Sequence, residues 1–305
     1  MNKFLKYILI FSLIFGSIFS LMVFINYIII DFTDIDIPHN KSILLLGDSN
    51  AECGLDDKIY KSVFNFASPA ESYYYTYLKL SKILSGQQSM DTVLISFSSH
   101  NIFDNNWFLS QHHVKHSFCR YYPLMSFDDL IFILKSQTFN VVNSLYTIPL
   151  QFLKNIYRKI IGEDPLLLGG FTPLEIDRLD KALNDLYKGN KIKDFHLPRN
   201  SIPINSEVLY LKKIVALCSK NNIDLIFINL PKHKALLDNR RYFSEDFKDL
   251  YYQEFSQVCY FDFSSINIDD CLFSDLVHLN KEGANHFSNF LLSNNWDIYK
   301  IDNLE

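Results

Sequence analysis

The sequence predicts an α/β protein: a three-layer α/β/α fold around a parallel sheet of roughly five strands. An N-terminal transmembrane helix precedes it and a helical insertion interrupts it. Three observations lead there. Short apolar runs alternate with segments of helical spacing, which is the pattern of a parallel sheet covered on both faces. Tyr7–Ile30 is 24 residues without a charge. Between Phe103 and Pro203 the alternation stops, and about a hundred residues carry helical patterns with no clear strand.

The uncharged stretch comes first. A span needs about 20 apolar residues, so Tyr7–Ile30 is long enough to cross a bilayer. Its exit, Asn-Tyr-Ile-Ile-Ile, is bulkier than the small-residue cleavage site of a removed signal peptide. A signal anchor over 1–31 is expected, with Lys3 and Lys6 on the cytoplasmic side and the rest of the chain outside the cytoplasm. Residues 32–41 form a short acidic linker with Pro38, which places the following domain near the membrane.

The domain spans 42–300, with the insertion at 104–203. Its expected strands are Ile43–Leu46, Val63–Phe66, Thr92–Phe97, Ile223–Asn229 and Val258–Phe263. After the second strand, Ser68, Pro69 and Glu71 predict a capped helix start leading into the tyrosine-rich segment Tyr73–Leu84. Within the insertion, helices are expected over Phe127–Ser136, Pro149–Ile161 and Thr172–Tyr187, the last with a capping box at Thr172 and Glu175. The insertion is expected to cover one side of the site. Asn205–Lys220 has apolar residues at helical spacing, Ser244–Ser256 carries a weaker helical pattern, and Asn280 can cap a final helix with Phe287, Phe290 and Leu291 on one face.

Composition narrows the function. A chain of 305 residues that is 48% hydrophobic can bury a sizeable core, and a net charge of −5 gives no reason to expect nucleic acid as a partner. Five cysteines, an odd number without a CxxC pair, signal neither a disulfide framework nor a zinc ribbon. His112, His113, His116 and Cys119 have metal-like spacing, but no nearby acid completes a tetrahedral set, so solvated loop residues are the expected reading. No metal and no cofactor are expected.

The chemistry concentrates at two points. Ile43–Leu46 ends abruptly in Gly47-Asp48-Ser49-Asn50, which lifts a serine out of the core at the sheet's carboxyl edge, where open α/β sheets place their ligands. Near the other end stands Asp275-Leu276-Val277-His278. An acid three residues before a histidine can hold its Nδ1–H and leave Nε2 to take a serine proton. Either motif alone has a plain alternative as an ordinary turn.

Together these motifs resemble the SGNH, or GDSL-like, hydrolase family, which is marked by four sequence blocks in fixed order. The first matches Gly47–Asn50, with Asn50 where Leu is common. The second matches Asn65–Ser72, with Ala67 in place of Gly. The third matches Ser99-His100-Asn101, with Ser99 for Gly and Ile102 for Asp, and the fourth is Asp275–His278. The resemblance covers about 42–103 and 205–295. It implies a flavodoxin-like sheet, a nucleophile Ser49, a base His278 and an orienting Asp275. It also implies an oxyanion hole from the N–H groups of Ser49 and Ala67 and the amide of Asn101. His100 and His233 are candidate substrate contacts at the same edge.

The implied reaction is acyl transfer through an acyl-serine, to water as an esterase or to a sugar hydroxyl as an O-acyltransferase. The implied substrate is an acylated cell-envelope or extracellular polysaccharide, with a membrane acyltransferase as a possible partner. The four motif departures leave a non-catalytic polysaccharide-binding or assembly role as the alternative.

Overall fold

A computed structural model describes residues 2–33, 35, 37–86, 90–103, 117–163, 168–175, 178–188, 205–237 and 245–294. The chain divides into two compact units, one of Met1–Ile35 with Leu109–Leu167 and one of Asp36–Phe108 with Leu168–Glu305. One cut falls in the expected 32–41 linker and two fall inside the expected 104–203 insertion.

In chain order the helices are α1 (Asn2–Asp31), α2 (Ser49–Gly54), α3 (Tyr73–Ser85), α4 (Ser99–Phe103), α5 (Phe127–Ser144) and α6 (Ile148–Ile160). They continue with α7 (Leu179–Tyr187), α8 (Asn205–Lys220), α9 (Lys234–Leu237), α10 (Glu245–Glu254) and α11 (Lys281–Ser293). The strands are β1 (Ile43–Leu46), β2 (Val63–Asn65), β3 (Thr92–Ser96), β4 (Asp224–Asn229) and β5 (Cys259–Asp262).

The larger unit is an α/β fold on one parallel sheet of order β2-β1-β3-β4-β5. β1 is buried along its whole length, which is why it reads as an unbroken apolar run rather than an alternating one. Ile43, Leu45, Leu94, Ile226 and Ile228 face a core shared with Leu276, Phe287 and Leu291. Beyond β3, Phe97 stacks on Phe227 at 4.6 Å and meets Phe247 of α10 at 4.7 Å. α3 packs on α8, with Tyr74 edge-on to Tyr210 at 4.7 Å between ring centres. The order reverses between β1 and β3, so the carboxyl ends of those two strands form the crevice where such sheets place ligands.

All five strands lie within a residue of their predicted bounds. Two helix starts do not follow the prediction. α3 begins at Tyr73 with Ser72 as its N-cap, not at Pro69. Ala70 takes a φ of 58°, which stops a helix there, and Glu71 is drawn into an ion pair with Lys79 instead of reaching back to Ser68. The expected capping box at Thr172 and Glu175 does not form either, and α7 starts only at Leu179. The backbone of that stretch is bonded elsewhere. Gly170 N donates to Ala67 O, Thr172 N to Glu52 O, and Leu174 O accepts from Lys281 N. Gly169 passes so close to the Phe66 and Ala67 carbonyls that a Cβ would collide with them.

The smaller unit is helical. α1 is long and apolar enough to cross a membrane, as a membrane anchor or a signal sequence is. Near its carboxyl end Asn26 is fully buried, donating to the Tyr122 hydroxyl at 2.8 Å and accepting from Asn155 Nδ2 at 2.8 Å. Gln151 in turn donates to Asn155 Oδ1. Buried amides need such partners, because each unmade hydrogen bond in apolar surroundings costs on the order of 1–3 kcal/mol. α5 starts with a complete capping box, Ser126 with Asp129, and runs past the predicted Ser136 to Ser144. Pro149 occupies the first turn of α6, where its missing N–H costs nothing.

Candidate active site

The site is built from the ends of β1 and β3 and the loop before α11. Gly47 leaves β1 with φ of 132°, and a Cβ there would run into Ser96 of β3. Only glycine lets β1 turn this close to its neighbour. Asp48 then caps α2, its carboxylate accepting from Asn50 N, and Ser49 becomes the first helical residue.

Ser49 Oγ lies 2.8 Å from His278 Nε2. His278 Nδ1 lies 2.9 and 3.0 Å from the two oxygens of Asp275. The loop itself fixes that carboxylate. Val277 N and His278 N both donate to Asp275 Oδ1 at 2.8 Å, and Ser274 N closes on His278 O. Burial pushes the Asp275 pKa upward. The hydrogen bonds and charge of His278, with the two backbone donors, outweigh it and hold the carboxyl below its ordinary value. An ionised acid on Nδ1 keeps that proton in place and leaves the Nε2 lone pair facing the serine. Side chains of His278 and Asp275 remain 22% and 25% exposed, so a ligand can reach them.

Two of the three oxyanion donors named by resemblance are engaged. Ala67 N donates to Asn65 Oδ1 at 3.1 Å. Asn101 Nδ2 donates to Asp48 Oδ2 at 3.0 Å, and its Oδ1 accepts from Ser98 N and Oγ. The Asn101 amide keeps a second hydrogen, whereas the Ala67 N–H has only one. Asn65 is itself occupied, its amide donating to the carbonyls of Ala51 and Leu55 around the end of α2.

His100 sits beside the site with Nε2 2.6 Å from Asp48 Oδ2 and Nδ1 2.8 Å from Ser98 Oγ. His233 is a correction. It is buried, edge-on to Phe273 at 5.3 Å, with its backbone N–H donating to Leu276 O and Nε2 3.3 Å from Asp270. The ring is 2% exposed and offers no surface to a ligand. His112, His113 and His116 lie outside the described residues, while Cys119 is buried. Among the described residues no cluster of His, Cys, Asp or Glu is arranged to hold a metal ion.

Sequence reasoning missed the polar network under Ser49. Asp48 accepts from Asn50 N and Nδ2, Ser96 Oγ, His100 and Asn101. Burial raises its pKa, but the His100 hydrogen bond and charge, with Lys232 and Asn101, hold the carboxyl far below its ordinary range. Lys232, only 2% exposed, donates to Asn50 Oδ1 at 2.6 Å. Its burial brings the ammonium down to about 8 against the pull of Asp48, Asp275 and Asp262. A lysine directly after a buried strand, between Pro231 and His233, was the available signal.

A partly buried serine, imidazole and carboxylate in this order can pass a proton from the hydroxyl to the ring. No protein-family model matches the chain, and no curated protein matches it by sequence. Among solved structures it is similar to a chain from Bacteroides fragilis named as a candidate acylhydrolase, at 10% identity and TM-score 0.37, covering 86% of this chain and 89% of that one. It is also similar to a chain from Streptococcus pneumoniae named as a candidate platelet activating factor, at 11% identity and TM-score 0.41, covering 96% and 99%.

Proposed function

We propose that the chain is a membrane-anchored serine acyl-ester hydrolase or O-acyltransferase of the SGNH type, facing outside the cytoplasm. One contact carries the reading: Ser49 Oγ at 2.8 Å from His278 Nε2, with Asp275 on the far ring nitrogen. In the proposed reaction His278 takes the Ser49 proton as the oxygen attacks an ester carbonyl. The same proton then goes to the leaving alcohol, and acyl-Ser49 remains. Water or a sugar hydroxyl resolves it by the reverse steps. The developing oxyanion would draw on Ser49 N–H and the second hydrogen of Asn101, and Ala67 N–H would join by leaving Asn65. Each such donor is worth about 3–4 kcal/mol.

The substrate class is an acylated envelope or extracellular polysaccharide, supported by the four-block resemblance and by an apolar N-terminal helix that would hold Ser49 near a membrane. A membrane acyltransferase would be the donor's source in the transfer case. The test is a fluorophosphonate probe on the full-length protein in detergent. Labelling should be complete in the wild type and absent in Ser49→Ala, with an unchanged melting temperature. Absence of labelling in the wild type would overturn the reading. Products formed from an aryl acetate with and without an added oligosaccharide then separate hydrolysis from transfer.

A further inference from the structure

α6 has two apolar faces. Ile148, Phe152 and Asn155 are buried within the helical unit, where α6 packs on α1. On the opposite side Leu150, Leu153, Tyr157 and Ile160 recur at helical spacing and are 57–77% exposed, followed by Ile161. Four large apolar side chains along one face of a thirteen-residue helix are more than scattered surface hydrophobes. Lys154, Arg158 and Lys159 lie along the same helix, the first and last exposed.

The position of α6 along α1 says what covers that face. The Asn155–Asn26 hydrogen bond ties α6 to α1 at Asn26. Asn26 is nineteen residues beyond Tyr7, about 28 Å along a helix rising 1.5 Å per residue. The hydrocarbon core of a bilayer is about 30 Å thick. If the span starts at Tyr7, Asn26 stands at the far edge of the hydrocarbon, and so does the helix bonded to it. The Asn26 amide also gains a reason for being there, since its bonding capacity is met by Tyr122 and Asn155 rather than by lipid.

We propose that α6 is an interfacial helix whose outward face, from Leu150 to Ile161, lies in the lipid surface beside the anchor. An apolar stripe set among basic residues is the pattern of helices that lie in the membrane plane, with the cations at anionic headgroups. The occupant is therefore a bilayer. The inference rests on reading α1 as membrane-embedded and is independent of the chemistry at Ser49.

Full-length protein with Cys259→Ser and Cys271→Ser is labelled with an environment-sensitive NBD fluorophore at Leu153→Cys, Leu13→Cys or Asn289→Cys. Each is reconstituted into phosphatidylcholine vesicles with and without phosphatidylglycerol, containing lipids spin-labelled at carbon 5 or 12. The position-153 probe should lose at least half its intensity to the shallow carbon-5 label and less to carbon 12. The position-13 probe should prefer carbon 12, and position 289 should respond to neither. Lys154→Glu with Arg158→Glu should weaken shallow quenching at 153 in the anionic vesicles alone. Quenching at 153 by aqueous iodide and not by lipid overturns the proposal, as does protection from both, which would mean a second copy or another protein covers the face. If position 13 also escapes the lipid labels, the membrane reading of α1 fails instead.

Discussion

Ser49, Asp275 and His278 could be picked from the sequence because each belongs to a short local pattern: a strand that ends in Gly-Asp-Ser, and an acid three residues before a histidine. What lies beneath them could not. Lys232 meets Asn50 across 182 residues of chain, and no local pattern encodes such a pair. Asn50→Leu would leave the buried Lys232 ammonium with only Val277 O at 3.4 Å and should cost about 3 kcal/mol, whereas Asn50→Leu with Lys232→Met removes both ends and should recover most of it. Denaturant titrations of the four cycle members measure the coupling; strict additivity would mean the two do not interact. Asp275→Asn is argued from the opposite concern. It keeps the loop's size but removes the charge that holds the Nδ1 proton, so kcat, read where both proteins are folded, should fall on the order of 10³–10⁴-fold, far beyond what the lost stabilisation of the loop explains. A variant with wild-type rates would remove Asp275 from the relay.

Elements were legible where a short apolar run ends at polar or turn residues and illegible where tertiary bonds outbid local ones. Each strand is a run of apolar residues whose ends are set by the change to polar or turn residues, so its bounds could be read to within a residue. The helix starts at Ser68 and Thr172 had good local signatures, yet Glu71 serves Lys79 and the Thr172 backbone serves Glu52. Lys79 is the hub of the first substitution. Fully buried, it reaches Glu71 at 2.6 Å, Phe66 O at 2.6 Å and Leu168 O at 2.9 Å, joining α3, the loop after β2 and the segment before α7. Lys79→Met leaves the Glu71 carboxylate buried without its cation and should cost about 3–5 kcal/mol, while Lys79→Met with Glu71→Leu should lose much less. Because Phe66 precedes Ala67, the single variant should also slow Ser49 labelling by the fluorophosphonate beyond what its stability loss explains. Equal labelling rates at a temperature where both proteins are folded would confine the ion pair to a structural role.

At the scale of the whole molecule the buried acids pull stability in opposite directions with pH. Asp48 and Asp275 have pKa values held below the ordinary carboxylate range in the folded chain. Their stabilisation is fully present above the unfolded value of about 3.9 and is lost as pH falls below it. Glu207 behaves the other way. Buried against the start of α3, it accepts from Tyr73 N at 2.9 Å, and burial raises its carboxyl to about 8 despite that hydrogen bond. The folded chain therefore holds a proton there that the unfolded chain releases near pH 4.3, so stability falls as pH climbs from about 4.3 to 8. Lys232, lowered to about 8, is relieved only above that, as pH rises toward the unfolded lysine value of about 10.4. These groups together place the melting-temperature maximum of the detergent-solubilised protein near pH 4, with a steady decline toward pH 8. Glu207→Gln keeps an acceptor for Tyr73 N and abolishes the titration. It should leave the acid limb unchanged and add up to about 5 kcal/mol at pH 8, with no gain at pH 4. A gain that is the same at pH 4 and pH 8 would locate the effect in packing and not in the proton that Glu207 carries.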